Sequence, residues 1–128
     1  MAKSKNKTPV SLKTKSNIKH RKVINGVSSF YAKDFHGKLT ANGEVYDMYG
    51  LTAAHKTLPL NTIARVTNLE NNKSLILRIN DRGPYIKGRI LDCSYGAAKK
   101  LGFIEEGTTK VKIAVSYTHL TLPTNREV

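Results

Sequence analysis

Alternation of apolar and polar residues predicts a small β domain in the middle of the chain. Five runs have the composition or the period of strands: Val23–Tyr31, Thr62–Leu69, Ser74–Asp81, Gly88–Cys93 and Thr108–Val115. The clearest is the last, in which valine and isoleucine alternate with lysine. Glu70–Lys73 separates the second run from the third, which is typical of a hairpin.

One segment has the pattern of a helix. Ser94–Leu101 carries three apolar residues on one side, with Ser94 placed as the N-cap residue and Gly102 as the C-terminal stop. Five or six short strands and one short helix within about ninety residues fit a closed barrel better than a sandwich. The pattern therefore predicts a mainly β fold.

Charge divides the chain unevenly. The 128 residues contain 22 Lys+Arg against 9 Asp+Glu, a net charge of +13. Residues 1–22 hold eight of the basic residues and no acid, so this segment is predicted to be a disordered basic arm. Residues 23–115, the predicted barrel domain, carry a net charge of only +5. Most of the excess charge is therefore outside the globular part.

The two ends and the single cysteine narrow the class of protein. No apolar run is long enough for a signal-peptide core or a transmembrane segment. Residues 116–128 continue no pattern and are interpreted as a C-terminal appendage, with a non-native origin as an open alternative. Cys93 is the single cysteine, so the chain cannot form an intramolecular disulfide. The apolar residues around Cys93 favour a buried side chain over a nucleophile.

Polar residues concentrate at two predicted strand ends. Asp81 ends an apolar strand and is followed directly by Arg82-Gly83-Pro84, so its carboxylate either reaches a ligand or caps the turn. His55 is a site candidate only if the fold brings it near Asp81, and Glu44 is either a site carboxylate or a solvated loop residue. Spacing alone leaves both alternatives open for each residue. Asp34 and His36 have no third ligand at a recognisable spacing, so no metal is predicted.

Several ordered motifs resemble the rare lipoprotein A (RlpA) family. They are Gly26–Tyr31, Phe35–Glu44, Leu51–Pro59, Arg65–Leu69, Arg78–Tyr85 and Gly88–Asp92 followed by Ser94, Ala97, Ala98 and Leu101-Gly102. The resemblance covers almost the whole predicted barrel. It implies a six-stranded double-psi β-barrel that acts as an endolytic peptidoglycan transglycosylase. The implied substrate is glycan stripped of its peptide stems, and no cofactor is implied. Asp81 matches the catalytic aspartate of the family, His55 a histidine of the active-site groove, and Glu44 a further groove carboxylate. The resemblance therefore makes all three catalytic candidates.

This chemistry suits a sparse site. One protonated carboxylic acid can donate to the glycosidic oxygen and then take the proton of the muramic C6 hydroxyl as the 1,6-anhydro ring closes. Asp81 must then be protonated near neutral pH, and a direct ion pair with Arg82 would oppose this. We therefore expect Arg82 to point toward the backbone or the ligand, and we count it among the substrate-binding candidates.

Other binding candidates lie beside the motif loops. Tyr31 and Tyr85 offer aromatic faces for stacking on sugar rings, and Thr40 and Asn80 offer hydrogen bonds. Phe35 lies in the same region, but core packing is the better interpretation for it.

Two other functions compete with the enzyme. An expansin-like barrel would bind peptidoglycan without cleaving it, and a nucleic-acid binder would depend on charge. The basic residues of the barrel are scattered, so no specific nucleic-acid site is predicted. The resemblance implies a monomer in the cell envelope, in the periplasm or exported to the wall, although no signal peptide is visible.

Overall fold

The computed structural model describes the backbone of residues 18–118 and the side chains of residues 22–115. Six strands and one α-helix occur in this part of the chain: β1 (Ile18–Phe30), β2 (Thr52–Ala54), β3 (Ile63–Asn68), β4 (Ser74–Asp81), β5 (Arg89–Cys93), α1 (Tyr95–Leu101) and β6 (Thr109–Thr118). A short 3₁₀ turn covers Lys33–Phe35. Residues Val23–Val115 form one compact unit, which contains all the candidate site residues.

The strands close into a barrel in the order β1-β5-β2-β4-β3-β6. β1 pairs with β5 and β2 with β4 in parallel, whereas β2–β5, β3–β4 and β3–β6 are antiparallel. Closure leaves no free sheet edge and brings strands that are distant in sequence side by side. The predicted six-stranded barrel with one short helix is confirmed.

Alternation along the strands fills the barrel. Val111, Ile113 and Val115 of β6 are buried while the neighbouring Lys110 and Lys112 are exposed, as predicted. Further buried side chains from the other strands complete the core: Val66, Leu77, Ile79, Leu91 and Cys93. The barrel interior is therefore a packed apolar core.

Both predicted ends of the helix are confirmed. The Ser94 hydroxyl accepts a hydrogen bond from the Ala97 amide at 3.1 Å, which satisfies an amide of the first turn. Gly102 ends the helix with φ of 80°, a left-handed conformation that glycine adopts without a steric penalty. Ala97, Ala98 and Leu101 are buried on the predicted side.

The strands differ from the predicted bounds at three places. β1 begins at Ile18, so residues 18–22 of the predicted arm have strand backbone. Backbone pairing needs no apolar side chains, which is why a basic run can extend a strand. β6 continues to Thr118, beyond the predicted end of the barrel domain, and the short strand β2 has no counterpart in the pattern. The rest of the predicted arm, residues 1–17, and of the appendage, residues 119–128, lies outside the described residues.

Candidate active site

Strand β2 lies between β4 and β5 and aligns the site. Ala54, its last residue, is in register with Asp81 at the end of β4 and with Asp92 on β5. Cross-strand neighbours present their side chains on the same face of a sheet. The barrel thus places one carboxylate on each side of Ala54, that of Asp81 on β4 and that of Asp92 on β5.

Three hydrogen-bond donors converge on the Asp81 carboxylate. The Tyr31 hydroxyl donates to Oδ2 at 2.5 Å, and the amides of Ala41 and Arg82 donate to Oδ1 at 2.8 and 2.9 Å. The bond from Arg82 is the turn cap that spacing suggested. The bonds from Tyr31 and Ala41 come from distant segments and fix the carboxylate toward the groove.

Tyr31 holds its hydroxyl in place through its ring. The ring stacks on Tyr46 with centroids 4.5 Å apart and meets the edge of Phe35 at 5.7 Å. Burial raises the pKa of Tyr31, and the hydrogen bond to Asp81 raises it further. The hydroxyl therefore keeps its proton and donates a hydrogen bond to the Asp81 carboxylate. With one face against Tyr46, this ring is a support for Asp81 more than a stacking surface for a sugar.

Glu44 belongs to a separate polar cluster beside Asp81. Arg78 binds it with two hydrogen bonds, at 2.6 Å to Oε2 and 2.8 Å to Oε1, and the Asn80 side chain donates to Oε1 at 3.1 Å. The Arg78 and Asn80 bonds lower the pKa of Glu44 to about 2. Glu44 is therefore ionised at neutral pH and has no proton to give.

The same cluster shapes the loop over Asp81. Asn42 donates from its side chain to Glu44 at 3.0 Å and accepts from the Thr40 hydroxyl at 2.7 Å. The Thr40 amide donates to the Glu44 carbonyl at 2.7 Å, which closes the loop. Since Ala41 lies inside this loop, Glu44 anchors the amide that binds Asp81.

His55 follows Ala54 directly and is buried, with 7% of its surface exposed. Its amide donates to the Asp81 carbonyl at 3.1 Å, so the two segments are joined through the backbone. Its Nδ1 accepts from the amides of Thr57 and Leu58 at 3.1 and 3.0 Å. Nδ1 therefore carries no proton, and the ring hydrogen is on Nε2. The imidazole organises the turn after β2.

The orientation predicted for Arg82 is confirmed. Its guanidinium donates to the carbonyls of His55 and Leu58, at 3.1 and 2.6 Å, and thus points to the backbone. Arg82 therefore ties the β4 end to the turn after β2 and leaves the Asp81 carboxylate to the donors described above.

An open groove of about 510 Å³ contains Asp81. Tyr31, Arg82 and Tyr85 line it together with Phe35 and Asp92. Tyr85 is 76% exposed and Phe35 46% exposed, so both offer aromatic surface to a ligand. The expectation that Phe35 packs in the core was wrong, because Tyr46 takes the inner face of Tyr31 and leaves Phe35 at its edge.

Asp92 is the functional candidate that the sequence did not reveal. It lies in an apolar run, and its Oδ1 accepts a hydrogen bond from the buried Ser29 hydroxyl at 3.0 Å. Burial raises the pKa of Asp92, and the negative charge of Asp81 acts in the same direction. The sequence did carry one sign of this role, which is a carboxyl group within an otherwise apolar predicted strand.

The remaining polar candidates have structural roles. His36 Nδ1 accepts from the Met48 amide at 3.1 Å. Cys93 is fully buried and contacts the Ser28 hydroxyl at 3.3 Å, and burial raises its pKa to about 12, as expected for an inert thiol. Across the described residues, no group of three His, Cys, Asp or Glu is arranged to hold a metal ion. No helix within residues 18–118 is long and apolar enough to cross a membrane.

Solved structures share this fold. The Streptomyces papain inhibitor aligns with a TM-score of 0.58 and 18% identity over 73% of this chain and 94% of its own. An expansin of Clavibacter michiganensis aligns with a TM-score of 0.59 and 15% identity over 81% of this chain and 53% of its own. Such low identities speak to the fold alone, and they support the predicted double-psi architecture. Fold and site thus define a double-psi β-barrel with a carboxylate-lined groove.

Sequence comparison gives the family. A family model described as "Lytic transglycolase" matches residues 23–113. A protein named "Endolytic peptidoglycan transglycosylase RlpA" from Pseudomonas aeruginosa UCBPP-PA14 is 60% identical over 88 residues, covering 69% of this chain and 26% of the relative. The protein of that name from Vibrio cholerae is 57% identical over 90 residues, covering 70% and 34%. The chain belongs to the RlpA-like double-psi β-barrel family and spans between a quarter and about a third of these relatives' length.

Proposed function

We propose that this barrel is the catalytic domain of an endolytic peptidoglycan transglycosylase. It cleaves the bond between N-acetylmuramic acid and N-acetylglucosamine, leaves a 1,6-anhydro-muramic end and prefers strands without peptide stems. The observation that carries the proposal is the Asp81 carboxylate, fixed in an open groove by donors from three segments. The names of the family relatives support the same activity.

The reaction needs few groups because the nucleophile is part of the substrate. The muramic C6 hydroxyl attacks C1 of its own ring, and its proximity replaces a bound water. Asp81 is the acid/base residue, which gives a proton to the departing glycosidic oxygen and takes the proton of the C6 hydroxyl. Tyr31 and the Ala41 amide hold the carboxylate at the reacting bond. This geometry accounts for catalysis by a groove without a metal cluster among its described residues.

The predicted helpers divide into binding and positioning roles. Tyr85 and Phe35 stack on sugar rings at the groove, since both are exposed there. Glu44, assigned to catalysis from the resemblance, positions the Ala41 loop instead, with Asn80 and Thr40 as its partners. The side chains of Glu44, Asn80 and Thr40 form hydrogen bonds within the protein, so they affect the substrate by positioning the Ala41 loop.

His55 and Arg82 have a shared positioning role. Their hydrogen bonds join the end of β4 to the turn after β2 and so fix the backbone on both sides of Asp81. The imidazole exchanges no proton with the sugar in this proposal.

The test is a product assay on purified glycan strands without stem peptides. Mass spectrometry should detect 1,6-anhydro-muramic ends with the unmodified protein and none with Asp81→Asn. A matched control, Asp34→Asn, changes an exposed carboxylate outside the groove and should keep full activity. An active Asp81→Asn protein would refute the assigned residue, and absence of product with the unmodified protein would refute the activity.

A binding barrel without catalysis is the second candidate, favoured by the likeness to the expansin fold. It predicts retention on glycan strands without new ends, equally in the unmodified protein and in Asp81→Asn. Nucleic-acid binding is a weaker alternative, because only +5 of the +13 charge belongs to residues 23–115. The proposal further includes a monomeric domain that acts in the cell envelope.

A further inference from the structure

Two carboxylates share the groove, and one strand separates them. Asp81 and Asp92 are both in register with Ala54, which lies between them on β2. Adjacent strands lie ~4.8 Å apart, so the two Cα atoms are separated by roughly 10 Å. Ala54 itself is buried against Tyr31 and Tyr46, and the two aspartates line the groove on either side of it. Both carboxyl groups can therefore reach a ligand bound in the groove.

The surroundings of Asp92 favour its protonated form more than solvent does. The Asp92 side chain is half-buried, and burial together with the charge of Asp81 raises its pKa. The opposing influences are the Ser29 hydroxyl on β1 and the charge of Arg89 on β5. Tyr31 and Tyr46 are further titratable groups near Asp92, and burial raises the pKa of both. A larger fraction of Asp92 is thus protonated at neutral pH than of an ordinary aspartate.

The surroundings of Asp81 differ. A hydroxyl and two amides all direct their hydrogens at it. Both oxygens of Asp81 therefore act as hydrogen-bond acceptors, the role that a base needs. Two carboxyl groups in one groove can act as acid and base of one reaction when their surroundings favour different protonation states.

We propose that the two proton transfers assigned above to Asp81 alone are divided between two residues, with Asp92 as the proton donor and Asp81 as the base. This inference rests on the proposed transglycosylase function. As the bond from C1 to the glycosidic oxygen breaks, that oxygen keeps the electron pair and takes the proton of Asp92. The muramic O6 forms the new bond to C1, and its proton passes to Asp81. One proton moves from Asp92 to Asp81, and exchange with solvent restores both groups.

The decisive experiment compares two substrates. Asp92→Asn should lose about 100-fold or more on denuded glycan, the usual contribution of a general acid. It should retain most of its activity on a short denuded glycan that ends in a nitrophenyl glycoside of N-acetylmuramic acid, because nitrophenolate leaves without a proton. Asp81→Asn should be inactive on both, because O6 still needs a base. Equal losses of Asp92→Asn on the two substrates, or activity within threefold of the unmodified protein on glycan, would overturn the inference.

Ser29→Ala provides a second test. Its hydroxyl favours the ionised form of Asp92, so removing it should shift the loss of activity at high pH toward higher pH. An unshifted pH profile would count against Asp92 as the acid. Folding is checked by thermal melting: since Asn removes a buried charge, Asp92→Asn should melt no lower than the unmodified protein at pH 7. If the unmodified protein makes no anhydro ends, the proposed function itself fails, a result distinct from all of these.

Discussion

Tyr31 and Tyr46 allow a matched test of how Asp81 is held. Their rings stack on each other, with 8% and 2% of their surfaces exposed, but their hydroxyls have different partners. The Tyr31 hydroxyl donates to Asp81, whereas the Tyr46 hydroxyl accepts the Tyr95 amide at 3.1 Å. Phenylalanine at either position keeps the ring and removes one oxygen.

Tyr31→Phe should impair catalysis more than folding. It removes a hydrogen bond to a carboxylate, which is worth about 1.5–3 kcal/mol. If that bond orients Asp81 in the transition state, kcat falls roughly 10- to 100-fold. Water from the groove can replace the lost donor without fixing the carboxylate, so we expect stability to fall by less than about 1 kcal/mol.

Tyr46→Phe should show the reverse. It leaves the Tyr95 amide at the start of α1 without its acceptor, at a cost of about 1–3 kcal/mol. A domain of this size loses about 4–8 °C in Tm for each kcal/mol. At temperatures where the variant is folded, kcat should be within threefold of the unmodified protein.

The assay pairs the rate of formation of anhydro ends with thermal melting for both variants. The reasoning is refuted if Tyr31→Phe keeps its kcat within threefold. Equal losses of activity in the two variants would likewise show that the stacked pair acts only through packing.

Three further predictions concern the supports of the site. Arg78→Met removes the main partner that lowers the pKa of Glu44 from 4.5 to about 2. The variant should therefore melt at a lower Tm than the unmodified protein above pH 4.5, and this difference should shrink as the pH falls toward 2. Melting curves with the same difference at every pH would contradict this. Gly96→Ala should destabilise α1 despite a gain of about 1 kcal/mol in helix propensity, because a Cβ would lie 2.9 Å from the Tyr49 carbonyl oxygen; a higher Tm would be the contrary result. Ser94→Ala should cost about 1–2 kcal/mol in denaturant unfolding, because the Ser94 hydroxyl accepts from the Ala97 amide and donates to the Gly50 carbonyl. Unchanged stability would contradict this role.

Local chemistry made most of the barrel predictable. The hairpin between β3 and β4, the alternation of β6 and the two helix caps each depend on residues a few positions apart. β2 was missed because its three residues, Thr52–Ala54, are small and lie in a polar stretch. Its extended backbone depends on pairing with β4 and β5, which no local pattern reports.

The site was predictable only in part for the same reason. The strand end made Asp81 a candidate, and the resemblance to the RlpA family implied its catalytic role and, through it, the orientation of Arg82. The ion pair of Glu44 joins positions 34 residues apart, and this pairing changes Glu44 from a candidate acid into a loop anchor. Asp92 stands in an apolar run, and only closure of the barrel aligns it with Asp81 across Ala54.

The central claim is that Asp81 catalyses cleavage of glycan strands in a reaction that uses the muramic C6 hydroxyl, and not water, as the nucleophile. The most direct measurement is mass spectrometry of denuded strands incubated with the unmodified protein and with Asp81→Asn, the latter checked by melting. The account predicts 1,6-anhydro-muramic ends with the former and none with the latter. Hydrolysed reducing ends, or anhydro ends formed equally by both proteins, would contradict it.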